Sequence, residues 1–186
     1  MVAKIGVKPC LVVEKSPPNL CRMPDLVRAF ADRDPKLLIF TRDPYAVCAS
    51  WAGRYSRERI VREWYPELAG KIDSDEAFYR TLGKMYGERA EMMVPLRDIA
   101  AITVSYEELT EQTAAVAERL ETVFPLLAGL DPGTSVRVKD YAPQPLRNMN
   151  DSQIDSLSPD QLRWVSDGLA PHERAITTLG YGLRGH

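Results

Sequence analysis

The chain has 186 residues, of which 45% are hydrophobic and 27% charged, and its formal net charge at pH 7 is -2. That length fits one domain, residues 1–186, with enough chain to bury a real core, and the composition excludes a disordered or fibrous protein. The near-neutral balance excludes a protein whose main task is coating nucleic acid or anionic membrane, and leaves room for a local anion pocket.

Three cysteines, Cys10, Cys21 and Cys48, are too few and too scattered for a disulfide framework, and no Cys-x-x-Cys pair points to zinc. Free or buried thiols in a reducing compartment, with no metal, are the expectation. No apolar run approaches the roughly 20 residues of a membrane helix, and the opening stretch lacks the apolar centre of a signal peptide. A cytoplasmic chain without a membrane span is expected.

In chain order, the short apolar runs Leu11 to Val13, Leu37 to Phe40 and Ile99 to Val104 predict three buried parallel strands. Between the first two, Leu20, Met23, Leu26, Val27 and Phe30 recur at helical spacing, with Pro24 set to start or kink that helix. Asp43 and Pro44 form a cap and first helical position for a helix carrying Ala46, Val47, Cys48 and Trp51. Phe78, Leu82, Met85, Tyr86 and Met93 make one apolar helical stripe, and Val116, Leu120, Val123, Phe124 and Leu127 make another. The Pro-, Gly-, Asn- and Asp-rich stretch 129–156 predicts the longest loop. Ser158, Pro159 and Gln161 fit a capping box that opens a helix through Leu169, and Pro171 separates it from a last piece holding Ile176 and Leu179. Strands alternating with helices give an α/β fold.

Three groups of residues stand where those strands end, the side on which open α/β sheets bind ligands. Glu14-Lys15-Ser16-Pro17 offers a lysine for an anion, or a solvated ion pair. Arg42 closes the second strand and Ser50 lies about two turns into the next helix; a phosphate there would take a bidentate pair from the guanidinium and a hydroxyl donor. The alternative is an Arg42 paired with Asp43 or another carboxylate. Tyr106, in Ser105-Tyr106-Glu107-Glu108-Leu109, is either a ring for a base to stack on or half-buried packing.

Taken in order, these segments resemble the sulfotransferases that use 3'-phosphoadenosine 5'-phosphosulfate (PAPS), in particular the bacterial and Golgi-type branches. The likeness runs from Glu14-Lys15-Ser16-Pro17 through Lys36-Leu37-Leu38-Ile39-Phe40 and the Arg42-Asp43-Pro44 turn with Ser50 eight residues on. It continues to Tyr106-Glu107-Glu108-Leu109 and Leu179-Gly180-Tyr181. The resemblance implies a three-layer, P-loop-NTPase-like parallel sheet flanked by helices, PAPS as donor, and transfer of a sulfuryl group to a hydroxyl or amine of a small molecule or glycan. It implies that Arg42 and Ser50 hold the donor's 3'-phosphate, that Tyr106 lies near the adenosine, and that Lys15 neutralises charge on the transferring group. Arg147 and Asn148 stand where related enzymes bring a basic loop over the nucleotide.

The family's glycine-rich phosphate loop has no counterpart before Glu14, since Gly6 is the only glycine ahead of residue 50 and sits in no such pattern. The expectation is therefore a domain incomplete at its N-terminus, with first strand and phosphate loop missing and sheet edges open to self-association. Glu14 stands in as acceptor base, although Lys15 beside it favours its ionised, weakly basic form. Two other readings stay open: a non-catalytic nucleotide-binding or regulatory module, and a transferase using another phosphate donor. His172, in a linker after Pro171, reads as a surface residue.

Overall fold

A computed structural model describes residues 11–129, 131, 133–135, 142–143 and 145–184. Cys10, and residues 130, 132, 136–141 and 144 of the predicted loop, lie outside them. The chain is mostly helical. Its elements run α1 (Met23–Ala29), β1 (Leu38–Thr41), α2 (Pro44–Ala52), α3 (Arg57–Glu63), α4 (Asp75–Met93), β2 (Ile102–Ser105), α5 (Tyr106–Glu111), α6 (Thr113–Val123), α7 (Asn150–Ile154), α8 (Pro159–Leu169) and α9 (Glu173–Thr178). Among the described residues no helix is long and apolar enough to cross a membrane.

Two of the three predicted strands form. β1 and β2 pair in parallel, with Leu38 opposite Ile102 and Thr41 opposite Ser105. The run Leu11 to Val13 is not a strand: it has no regular structure, and Val12 and Val13 are 70% and 77% exposed. Three apolar residues make a strand only when a neighbouring strand takes up their backbone hydrogen bonds, and β1 pairs with β2 alone among the described residues. The next turn, Pro17–Arg22, is a 3-10 helix packed against α4. Glu14 and Lys15 therefore do not sit at a strand exit. Pro24 falls in the first turn of α1, where the missing N–H costs nothing, so it starts that helix rather than kinking it.

The core is a helical layer. α4 lays Phe78, Leu82, Met85, Tyr86 and Ala90 along one buried face, the i, i+4, i+7 pattern of the sequence, onto α8 with Val165 and Leu169. The two helices approach closely because Gly83 and Gly168 face each other: a Cβ on Gly168 would lie 2.2 Å from the Arg80 carbonyl oxygen. Tyr45, on α2, joins this layer and shares a hydrogen bond with Ser166 Oγ at 2.7 Å, while its oxygen accepts the Arg184 N–H at 2.9 Å. The Ser158 and Gln161 capping box opens α8 as the sequence indicates, and a second box, Ser105 with Glu108, opens α5 directly off β2.

A smaller cluster sits on the other side of the sheet, where Val116 of α6 covers Ile102 and Val104 with help from Leu109 and Leu120. α6 shields β2 only. On that same face of β1, Leu38 and Phe40 stay 37% and 46% exposed, while Ile39 and Thr41 on the opposite face are buried. The helix carrying the predicted stripe ends at Val123, because Pro125 follows and starts a 3-10 turn, while Phe124 still packs against the cluster.

Candidate functional site

The parallel strands deliver Thr41 and Ser105 side by side, and the chain leaves each through a turn rich in polar groups. After β1, the Asp43 carboxylate caps α2 by accepting from the N–H groups of Tyr45 (2.8 Å) and Ala46 (3.1 Å). Those are first-turn donors that an anion at this helix end would otherwise use. Anion binding at this corner therefore falls to side chains.

Arg42 is the side chain so placed. Its Nε donates to Asn150 Oδ1 at 2.8 Å and a terminal nitrogen donates to Gln153 Oε1 at 2.7 Å, while its carbonyl oxygen accepts from Tyr86 Oη at 2.7 Å. The guanidinium carbon lies 4.0 Å from the centre of the Tyr106 ring. Among the described residues Arg42 makes no ion pair, and Asp43 does not serve as its partner. Tyr106 in turn donates its hydroxyl to the Arg147 carbonyl oxygen at 2.8 Å, and Asn148 Nδ2 donates to Glu111 at 2.6 Å. The predicted residues Arg42 and Tyr106 thus share one corner at the strand ends, and Arg147 is tied to it by its backbone carbonyl. Tyr106 is a platform for Arg42, so one face of its ring is already taken.

Ser50, near the far end of α2, is half-buried and its hydroxyl has no hydrogen bond among the described residues. It lies about 10 Å along the helix axis from Asp43 at 1.5 Å per residue. No hydrogen bond joins it to Arg42. Glu14 and Lys15 are exposed, and Glu14 accepts from Asn19 Nδ2 at 3.0 Å, with neither residue bonded to the Arg42 group.

Glu107 organises the corner, and the sequence did not single it out. Its Oε1 accepts the Asp43 N–H (3.0 Å) and the Asn150 amide, and its Oε2 accepts Tyr181 Oη at 2.8 Å. Burial pulls its carboxyl upward, but the Asp43 N–H, its own N–H, Tyr181 and Asn150 outweigh that and hold it below the usual carboxylate range. Since the Tyr181 proton goes to Glu107, Thr41 Oγ1 is the donor in its 3.3 Å contact with Tyr181. Burial first, and then the neighbouring carboxylates, push the Tyr181 hydroxyl up.

Beside these residues opens a cleft of about 400 Å³, lined by Thr41, Thr103, Ser105, Glu107, Glu108 and the 179–181 segment. Its two carboxylates repel an anion, so the Arg42 side of the corner is the part whose charge suits one. Asn150 and Gln153 were hidden inside the predicted loop. The signal that would have found them is their spacing of three, which puts two amides on one face of a short helix.

The structure also corrects the reading of His172. Its side chain is only 13% exposed, Nδ1 lies 2.8 Å from Glu91, and its ring fills the space a Cβ on Gly87 would occupy. Trp64, Tyr65 and Tyr79 pack in or against the main core. Burial, and then Asp43, push the Cys48 thiol up, which makes it an inert core residue. Among the described residues no group of three His, Cys, Asp or Glu side chains is arranged to hold a metal. No family model, curated protein or solved structure matches the chain.

Proposed function

We propose that the Arg42 corner binds the 3'-phosphate of an adenosine nucleotide and that the domain is a PAPS-dependent sulfotransferase built on a P-loop-NTPase-like sheet. One observation carries the reading: a half-buried arginine at a strand end, held by neutral amides and a tyrosine face with no carboxylate against it. Such a guanidinium keeps its charge available, and planar bidentate donation suits a phosphate. Arg147, on the segment tied to Tyr106, supplies a second cation to the same nucleotide.

In the transfer itself, the bond between sulfur and the bridging oxygen of the 5'-phosphosulfate breaks as the acceptor's hydroxyl or amine bonds to sulfur. The products are a sulfated acceptor and 3',5'-ADP, and the acceptor's proton passes to a base, the role assigned to Glu14. Lys15 offsets the negative charge that builds around the transferring group, on the bridging oxygen, as its bond to sulfur breaks. The test is incubation with PAPS and a panel of hydroxyl and amine acceptors, following 3',5'-ADP and sulfated product. Acceptor-dependent formation of both, lost in Lys15→Ala, is expected; binding of PAPS without product from any acceptor would refute transfer.

A second reading has its own support. Glu14 and Lys15 are exposed and unconnected to the Arg42 corner, which fits a nucleotide-binding module without chemistry. The same corner would also accept the phosphate of a different donor. Retention of 3',5'-ADP binding with no transfer selects the module, and preference for another nucleoside or sugar phosphate selects the third reading.

A further inference from the structure

An arginine has five N–H donors, and Arg42 spends two of them, on Asn150 Oδ1 and Gln153 Oε1. Both acceptors are uncharged. A carboxylate is close at hand in Glu107, yet its oxygens are committed to the Asp43 N–H, the Asn150 amide and Tyr181. Asn150 is 7% exposed and stands between the two charges, giving its N–H to Glu107 and its oxygen to Arg42. The reverse amide would set N–H against guanidinium and oxygen against carboxylate, so Glu107 fixes which way round the amide sits.

We infer that Asn150 and Gln153 are positioning residues that keep Arg42 aimed and its charge uncompensated for an anionic ligand, with Glu107 setting the Asn150 amide. The inference rests on the 3'-phosphate reading above and adds the reason that site has affinity. An acidic side chain in place of either amide would give the same geometry and hold Arg42 as firmly, but it would cancel the charge. Gln153 is the cleaner position to change, because Asn150 also touches Glu107 and Gln153 does not.

The experiment compares the full chain with Gln153→Glu and Gln153→Met, each titrated calorimetrically with 3',5'-ADP and melted without ligand. In Gln153→Glu the new carboxylate meets the guanidinium, so affinity falls about tenfold or more while the melting temperature holds or rises. Gln153→Met removes one hydrogen bond but adds no charge, and its affinity stays within about threefold of the parent. Unchanged binding by Gln153→Glu overturns the inference and leaves the nucleotide reading standing. So does an equal loss in both variants, or a Gln153→Glu chain that no longer folds. No binding by the parent chain instead overturns the nucleotide reading itself.

Discussion

Replacing Gly168 with alanine would put a methyl group into the closest approach of the two main core helices. The added Cβ would lie 2.2 Å from the Arg80 carbonyl oxygen and 2.9 Å from the Lys84 nitrogen. An ordinary carbon–oxygen contact is about 3.3 Å or more, so α8 must retreat from α4 by about 1 Å. The obstacle is backbone, and no rotamer relieves it. A gap of that size weakens the contacts of Leu82, Met85, Val165 and Leu169 together, and against rigid backbone the cost falls in the upper part of the usual overpacking range, about 2–3 kcal/mol. Alanine's better helix propensity returns about 1 kcal/mol, leaving a net loss of ~1–2 kcal/mol. For a chain of this length that lowers the melting temperature by about 2–8 °C in a circular dichroism melt. Gly53→Ala is the control, because its Cβ meets nothing closer than 3.8 Å and its φ of −72° suits any residue. It should melt at or slightly above the parent. A Gly168→Ala chain that melts as high as the parent would refute the close-packed crossing.

Two further expectations concern the turn that carries Arg42. Asp43→Ala removes the acceptor for two first-turn N–H groups of α2, and should cost about 1–2 kcal/mol in a denaturant titration, with Asp43→Asn recovering most of it; equal stability of all three chains would deny the cap a role. Glu107 has its carboxyl held below the ordinary value in the folded chain, so folding favours its ionised form. That stabilisation is complete above the ordinary carboxylate range near pH 4–5, roughly, and is lost as pH falls through the lower folded value. Glu107→Gln should therefore show a shallower fall in melting temperature between about pH 6 and pH 3 than the parent. Parallel curves would mean that Glu107 contributes nothing to acid sensitivity.

Local signals in the sequence located much of the fold. The Asp43-Pro44 start, the Ser158-Pro159-Gln161 box and the stripe on α4 each depend on neighbours within a few residues, and each forms where its pattern stands. Leu11 to Val13 failed because a strand needs a partner that no local pattern supplies. In the site, Arg42 and Tyr106 come together, since strand ends and the turns leaving them converge in a parallel sheet, and the Arg147 backbone is tied to them through the Tyr106 hydroxyl. Glu107 and Tyr181 stand inside motifs the sequence shows but carry no role there, and Asn150 and Gln153 lie in the predicted loop, because the importance of all four lies in contacts spanning from 43 to 111 residues. Asp43 shows the same limit from the other side: a good cap was legible, but not that it takes up the donors an anion would need.

Whether Arg42 holds a 3'-phosphate is decided by calorimetric titration of the parent chain and Arg42→Ala with 3',5'-ADP and 5'-AMP. The expectation is binding of 3',5'-ADP by the parent, much weaker binding of 5'-AMP, and loss of that difference in Arg42→Ala. No heat from the parent, or a variant that still separates the two nucleotides, would contradict it.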